Sequence, residues 1–258
     1  MKMVKIDPPG TWCHYDAVMQ LVKNSKAKTF VEVGCGAGDL SFRLCEMGLK
    51  GYGIDFSAEA IKIASEKMRK YIENGQYQLI QGDIFAIESQ GIKVDLGLSM
   101  MVMEHVQDDT LFLKKIQKVI QPGGHILVAV PGRRDRWCFE DETVGHLRRY
   151  DREDLQKVMA QSGMDNVVVW SVAVPVANIL FHVSNLLVKR SEAHKKTLSL
   201  EEQTKSSGIR EIPFKTVFPS FFRIILNSFT LYPLFLIQRS FYRTGLGLTM
   251  LGMAQVKE

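Results

Sequence analysis

Three glycines spaced two residues apart could bring backbone close to a small ligand. Gly34, Gly36 and Gly38 follow the apolar run FVEV, with Glu32 two residues before the first glycine. Glycines between a strand and a helix allow such an approach, although they also suit a tight turn without a ligand. A dinucleotide fingerprint would need a fourth glycine at position 39, where Asp39 would repel a pyrophosphate. The turn therefore indicates a ligand that need not carry phosphate.

Two aspartates could bind the parts of a nucleoside. Asp55 in GYGIDFS follows the glycines by about twenty residues, where a carboxylate can accept from both ribose hydroxyls. Asp83 in LIQGDIF can accept from the exocyclic amine of adenine, with Ile84 and Phe85 in apolar contact with the ring. Either aspartate alone would also suit a helix or turn cap. Together they predict a nucleoside site.

The elements that must position these residues alternate between strand and helix. Apolar runs of strand length alternate with helical periodicity up to about residue 173, which predicts βαβ units and a mostly parallel sheet. We predict strands at 29–33, 51–55, 77–81, 94–100, 124–130 and 166–172. We predict helices at 38–47, 57–74, 108–120 and 151–162, after an N-terminal helix in TWCHYDAVMQLVKN. Asp55 and Asp83 then lie at the carboxyl ends of successive strands, where such sheets bind ligands.

The alternation stops after residue 173. AVPVANILFHVSNLLV predicts an apolar helix, KRSEAHKKTLSLEEQTKSSGIRE predicts a mobile charged linker, and residues 212–242 are rich in aromatics. The final LTMLGMAQVKE predicts another strand. We therefore predict a core at 1–173 that includes the N-terminal helix, a helical insertion at 174–245, and a last strand at 246–258 that returns to the core.

Composition narrows the class of protein. The net charge of +5 arises in residues 171–245, which contain no nucleic-acid recognition motif, so we expect no nucleic-acid partner. The four cysteines have neither metal-ligand spacing nor a leader peptide before them, which favours a cytoplasmic protein without a metal site or disulfide. The uncharged window 166–188 is interrupted by Pro175, Asn178 and His182, so we expect no membrane-spanning helix.

Taken in order, five stretches resemble one known family. VEVGCGAG, GIDFS, QGDIF, VDLGLSMMVMEHVQDD and LKKIQKVIQPGGHILVAVP resemble the motifs of class I S-adenosylmethionine-dependent methyltransferases, in the small-molecule (type 11-like) branch. The resemblance implies an α/β, Rossmann-like fold with helices on both faces of a seven-stranded, mostly parallel sheet whose last strand is antiparallel. It implies S-adenosylmethionine as cofactor, without a metal.

The resemblance also assigns residues to the cofactor. The glycines would pass beneath its methionine part, Asp55 would bind the ribose, and Asp83 with Ile84 would contact the adenine. Tyr15 would close over the cofactor carboxylate, unless it is a core residue. The full set of expected cofactor-binding residues is Tyr15, Glu32, Gly34, Cys35, Gly36, Gly38, Asp55, Phe56, Asp83, Ile84, Met100 and Met101, the two methionines beside the sulfonium.

Two further segments concern the methyl acceptor. Methyltransferases of DNA bases and protein glutamine carry an (Asn/Asp/Ser)PP(Tyr/Phe) turn where this chain has SMMVMEHV, which disfavours that type of nitrogen acceptor. EHVQDD resembles the branch that methylates oxygen or carbon of small molecules and lipid-like quinones. There Glu104 would contact substrate, and His105 would be a general base or a backbone-bonded histidine at a helix start.

VGHLRRYDREDL resembles a GHxRRY segment that borders the acceptor pocket in this branch. His146 is the second candidate base. Arg149 would bind substrate or anchor the sheet edge, and Tyr150 would contact substrate.

The long insertion suits a lid over the acceptor, a contact with anionic lipid or a dimer contact. Residues 212–242 combine aromatics with Lys215, Arg223 and Arg239 and contain no acidic residue, which is compatible with peripheral membrane contact. We predict methyl transfer to oxygen, with carbon second, of a hydrophobic small molecule or lipid-like metabolite. The alternatives are an NAD-dependent oxidoreductase and a non-catalytic S-adenosylmethionine-binding partner.

Overall fold

The computed structural model describes residues 2–84, 91–207 and 210–257. The strands in these residues are β1 (Met3–Lys5), β2 (Thr29–Val33), β3 (Lys50–Asp55), β4 (Tyr77–Gln81), β5 (Val94–Met100), β6 (Ile120–Pro131), β7 (Asp165–Val172), β8 (Val217–Pro219) and β9 (Thr249–Gln255). The helices are α1 (Pro9–Ser25), α2 (Asp39–Glu46), α3 (Ala58–Glu73), α4 (Asp109–Gln117), α5 (Phe139–Val144), α6 (Arg152–Gln161), α7 (Val176–Glu192), α8 (Leu200–Ser207) and α9 (Tyr232–Arg239).

The chain divides into two compact units, which are described separately. Unit 1 comprises Met1–Gln20, Pro131–Arg152 and Trp170–Met250, and unit 2 comprises Leu21–Val130, Glu153–Val169 and Leu251–Glu258. Residues 174–245, predicted as an insertion, all lie in unit 1.

One sheet contains seven of the strands, in the order β4-β3-β2-β5-β6-β9-β7. β2 pairs in parallel with β3 and with β5, so that Val33 lies opposite Ile54 and Glu32 opposite Leu98. The carboxyl ends of these strands therefore meet at one edge of the sheet, which is where parallel sheets carry their ligands. The predicted α/β fold class with a mostly parallel sheet is confirmed.

The last strand runs against its neighbour. Gly123 N–H donates to Val256 C=O at 3.1 Å near the start of β6, and Gly132 N–H donates to Leu248 C=O at 2.8 Å just after its end. Residue numbers in β9 decrease as those of their partners in β6 increase, so the two strands are antiparallel.

Strand β6 is several residues longer than the sequence predicts. β6 begins at Ile120, whereas the sequence predicts a start near residue 124. The register of β6 against β5 shifts between the Val94–Ile120 and Leu96–His125 pairs. Such an irregularity allows a strand to include residues that by themselves indicate a turn, here the PGG of residues 122–124.

Much of the segment predicted as a charged linker after the apolar helix forms helix. α7 continues to Glu192, and α8 forms within the segment. Arg210 Nη1 lies 2.7 Å from Glu140 Oε1, and its Nε donates to Glu192 Oε2 at 2.8 Å. Burial alone would raise the pKa of Glu140, but Lys215 and Arg210 outweigh it and lower that pKa to about 2. The charges therefore stabilise packed structure because they pair within unit 1.

The uncharged window at 166–188 is divided between β7 and α7. Among the described helices, none is long and apolar enough to cross a membrane.

Candidate functional site

The turn between β2 and α2 holds its glycines in a conformation that other residues rarely adopt. Gly34, Gly36 and Gly38 have φ angles of 76°, 52° and 75°, all in the left-handed region. Gly34 N–H donates to Ile54 C=O at 2.8 Å, which ties the turn to β3. A Cβ on Gly34 would lie 2.3 Å from Val102 Cγ2. Position 34 therefore requires glycine for its backbone angle and for this close approach.

Asp55 connects the end of β3 to the glycine turn. Its carboxylate is almost buried; Oδ2 accepts from Gly36 N–H at 2.8 Å, and Oδ1 accepts from Ser57 N–H at 2.9 Å. Each carboxylate oxygen has two lone pairs, so each can accept one more hydrogen bond. The next residue, Phe56, exposes 44% of its surface. The carboxylate is thus held in a fixed position while it keeps capacity for two hydroxyl donors.

Asp83 lies beside Asp55 at the neighbouring strand end. Gly82 N–H donates to Asp55 C=O at 2.9 Å, and Asp83 is the next residue along the chain. Asp83 is exposed, and Ile84 is buried. Phe85, predicted to contact the same ring, lies outside the described residues.

Glu32 and Cys35 are buried in unit 2. Ser41 Oγ donates to Glu32 Oε2 at 2.5 Å, and Tyr77 Oη donates to Ser41 Oγ at 2.9 Å. Burial raises the pKa of Glu32 to about 8 and also raises the pKa of the Cys35 thiol. This chain of hydrogen bonds joins β2, α2 and β4. It therefore stabilises the two elements, β2 and α2, that flank the glycine turn.

The segment after β5 carries the other residues predicted in unit 2. β5 ends at Met100, and Met101 has a φ of 56°, a conformation uncommon for a residue with a side chain. A short 3₁₀ helix, Met103–His105, follows. Glu104 is fully buried, and His105 is partly buried. His105 N–H donates to Val102 C=O at 3.0 Å.

In unit 1, His146 and Arg149 converge on one carboxylate. Asp141 is fully buried; its Oδ1 lies 2.7 Å from His146 Nδ1 and accepts from Arg149 Nε at 2.8 Å. Arg149 Nη1 also donates to Gly132 C=O at 2.9 Å, which favours the anchoring role over substrate binding. Burial by itself raises the pKa of Asp141, but the bonds from His146 and Arg149 hold it at about 2.

Asp141 was missed by the sequence reasoning. It lies in the acidic run FEDE at the start of α5, where Cys138 N–H donates to its Oδ2 at 2.8 Å. The only signal for Asp141 in the sequence was its position in a helix-capping pattern. Because three acidic residues are consecutive there, the sequence does not tell which of them is buried next to His146.

Tyr150 and Tyr15 also lie in unit 1. Tyr150 is buried, and its N–H donates to Pro131 C=O at 2.9 Å. Tyr15 is a partly buried residue of α1 whose ring meets that of His14 edge-on. Of the predicted site residues, His146, Arg149, Tyr150 and Tyr15 thus belong to unit 1 and the others to unit 2.

The sheet order, the glycine turn and the acidic strand ends define the class I S-adenosylmethionine-dependent methyltransferases. Residues 24–194 match a family model described as "Methyltransferase domain", and the chain belongs to this family. Membership in this family excludes the alternative of an NAD-dependent oxidoreductase. Asp39, the first residue of α2, already argued against that alternative.

Curated relatives are about 30% identical to this chain over the residues that align. A ubiquinone biosynthesis O-methyltransferase of Rhizobium etli is 30% identical over 148 residues, which are 52% of this chain and 59% of that protein. One of Cupriavidus pinatubonensis is 31% identical over 109 residues, 41% of this chain and 42% of that protein. The chain thus spans about half the length of the curated relatives it matches.

A solved structure shows the same fold over nearly the whole chain. It is a phosphoethanolamine N-methyltransferase of Haemonchus contortus in complex with phosphomonomethylethanolamine and S-adenosylhomocysteine. Its TM-score is 0.58 at 16% identity, and the match covers 94% of this chain and 53% of that one.

S-adenosylmethionine is the cofactor of the family, and the residues of unit 2 fit it. The Asp55 carboxylate keeps acceptor capacity beside a turn from which three glycines project no side chain. When bound, the cofactor supplies a methyl group activated by its sulfonium.

Proposed function

We propose that this methyltransferase transfers a methyl group to an oxygen atom of a hydrophobic small molecule or lipid-like metabolite. The observation that carries the proposal is the Asp141–His146 pair, in which a buried carboxylate lies 2.7 Å from imidazole Nδ1. A hydroxyl acceptor must lose a proton when it is methylated, and an oriented imidazole can take it. The names of the curated relatives as O-methyltransferases support the choice of oxygen.

Asp141 is a positioning residue in this proposal. When His146 Nδ1–H donates to Asp141, the basic lone pair of the ring is on Nε2. The pKa of Asp141 is about 2, so its carboxylate is charged at neutral pH and stabilises the imidazolium that forms after proton transfer. Arg149 completes the support because its Nε donates to both oxygens of the same carboxylate.

His105 is the second candidate base. It lies in the 3₁₀ helix directly after the strand that ends at Met100, next to the buried Glu104. We rank it after His146 because the Asp141 carboxylate orients the ring of His146.

The apolar class of acceptor has support from unit 1. Ile179, Val183 and Leu186 expose 71%, 56% and 47% of their surfaces along one side of α7. An apolar stripe of this kind is suited to contact with an apolar substrate, or with a lipid layer in which such a substrate is dissolved.

The test is methyl transfer from radiolabelled S-adenosylmethionine to matched apolar phenols and apolar amines. We expect the phenols to be methylated, and exclusive methylation of the amines would contradict the choice of oxygen. His146→Gln should lower turnover by about a hundredfold or more, because the imidazole that accepts the proton is lost. Cofactor affinity, measured by calorimetry, should remain unchanged. Unimpaired turnover of His146→Gln with loss in His105→Gln would transfer the role to His105.

A further inference from the structure

Residues 220–240 of unit 1 expose a group of large apolar side chains. Phe229 exposes 87% of its surface and Ile224 exposes 75%. We use "apolar surface" for the exposed members of this segment: Phe221, Ile224, Ile225, Phe229, Tyr232, Leu236 and Ile237. Scattered exposed apolar residues are ordinary, but a concentration within one short segment marks an interaction site.

The loop that carries Ile224 and Phe229 is built by specific hydrogen bonds. Asn227 Oδ1 accepts from the N–H groups of Phe229 and Thr230, at 3.0 and 3.1 Å. Asn227 Nδ2 donates to Ile224 C=O at 2.8 Å, and Thr230 Oγ1 donates to Ile225 C=O. The loop conformation is therefore defined by its own polar groups, and it projects its apolar side chains outward.

Helix α9 is anchored through its other face. Phe235 packs in a buried cluster with Cys13, and the fully buried Gln238 donates from Nε2 to Cys13 C=O at 2.9 Å. Tyr232 and Leu236, four residues apart, expose 52% and 46% of their surfaces. The helix therefore has apolar residues on both sides, and the described residues of the chain cover only one of them.

The charge around the apolar surface is positive. The sequence contains no Asp or Glu from 212 to 257. Arg223 and Arg243 are exposed and have no ion pair within the described part of the chain, whereas Arg239 lies 3.5 Å from Asp16. Two copies of this surface would bring like charges together, while anionic headgroups would neutralise them. Charge complementarity thus favours a lipid surface over a second copy of the chain.

We propose that the apolar surface docks the protein on an anionic phospholipid bilayer. Ile224 and Phe229 enter the boundary between headgroups and acyl chains, and Arg223 and Arg243 contact headgroup phosphates. Such binding combines buried apolar area with attraction to anionic lipid, and it needs no spanning helix.

The test is co-flotation of the full chain with vesicles of phosphatidylcholine alone or with about one third phosphatidylglycerol. We expect binding to the anionic vesicles that weakens with salt. Ile224→Ser with Phe229→Ser should lower the partition coefficient at least about tenfold on both kinds of vesicle. Arg223→Ala with Arg243→Ala should lower it on the anionic vesicles alone.

The matched control is Ile63→Ser with Leu111→Ser, which removes two exposed apolar side chains from helices of unit 2 and should leave vesicle binding unchanged. Calorimetric binding of S-adenosylmethionine confirms that every variant is folded. Absence of wild-type binding, or equal loss in the control, would overturn the proposal. It would also be overturned if light scattering showed a dimer that the Ile224→Ser and Phe229→Ser changes dissociate while vesicle binding persists.

Discussion

Substituting Gly34 by alanine tests whether the glycine turn is shaped by its backbone angle or by the approach of Val102. The new methyl group would lie 2.3 Å from Val102 Cγ2 at a φ of 76°. Gly75 offers a matched control because its φ is 72° and nothing lies within 4 Å of a Cβ there. The two substitutions therefore share the backbone strain and differ in the steric clash.

The magnitudes follow from these two terms. Alanine in the left-handed region costs about 1–2 kcal/mol, which is the full expected effect of Gly75→Ala. At Gly34 the carbon–carbon approach is well inside ordinary contact, and overpacking adds about 1–3 kcal/mol. We therefore expect Gly34→Ala to lower the free energy of unfolding by about 2–5 kcal/mol.

Urea denaturation of the two variants measures this difference, and calorimetry with S-adenosylmethionine measures its effect on the cofactor. The double variant Gly34→Ala/Val102→Ala should recover part of the loss, because the smaller side chain removes the clash. The reasoning is refuted if Gly34→Ala is no more destabilising than Gly75→Ala, or if shortening Val102 gives no relief.

Three other changes test the remaining parts of the structure. Asp55→Asn should weaken calorimetric binding of S-adenosylmethionine by about tenfold or more, since it removes the charged acceptor that is available to the two ribose hydroxyls. Unchanged affinity would contradict the assignment. The pKa of Asp141 is about 2, below its ordinary 3.8, so about 2 kcal/mol of stability should be present above pH ~4 and lost as the pH falls towards ~2. Acid titration of Asp141→Asn should lack this loss, and an identical titration would refute it. Arg210→Met leaves Glu140 and Glu192 without their shared partner and should cost about 3 kcal/mol in thermal unfolding, with Arg210→Lys recovering part; a loss below about 1 kcal/mol would show that the pairing is unimportant.

The regular part of the fold was predictable from local patterns. Strand β2 was predicted at its observed limits, and β4 and β5 were as well, because each is a short apolar run bounded by turn signals. The extension of β6 to Ile120 was not predictable, since the irregular pairing with β5 depends on a partner strand distant in sequence.

The candidate site was predictable to different degrees in its two parts. Asp55 and the glycines form a local pattern with a defined spacing, and the structure brings the carboxylate within 2.8 Å of Gly36 N–H. Asp141 carried no comparable signal. Its importance comes from burial beneath His146 and Arg149, and burial is a property of the folded chain.

The sequence alone determined the succession of strands and helices, the glycine turn and the acidic strand ends, because these follow from residue type and spacing over a few positions. Only the tertiary structure decided which charges after Glu192 are paired and which apolar residues after Ser220 remain exposed. The physical reason is that pairing and exposure depend on what packs against a side chain. Arg210 finds Glu140 seventy residues away, whereas Ile224 and Phe229 are held outward by Asn227.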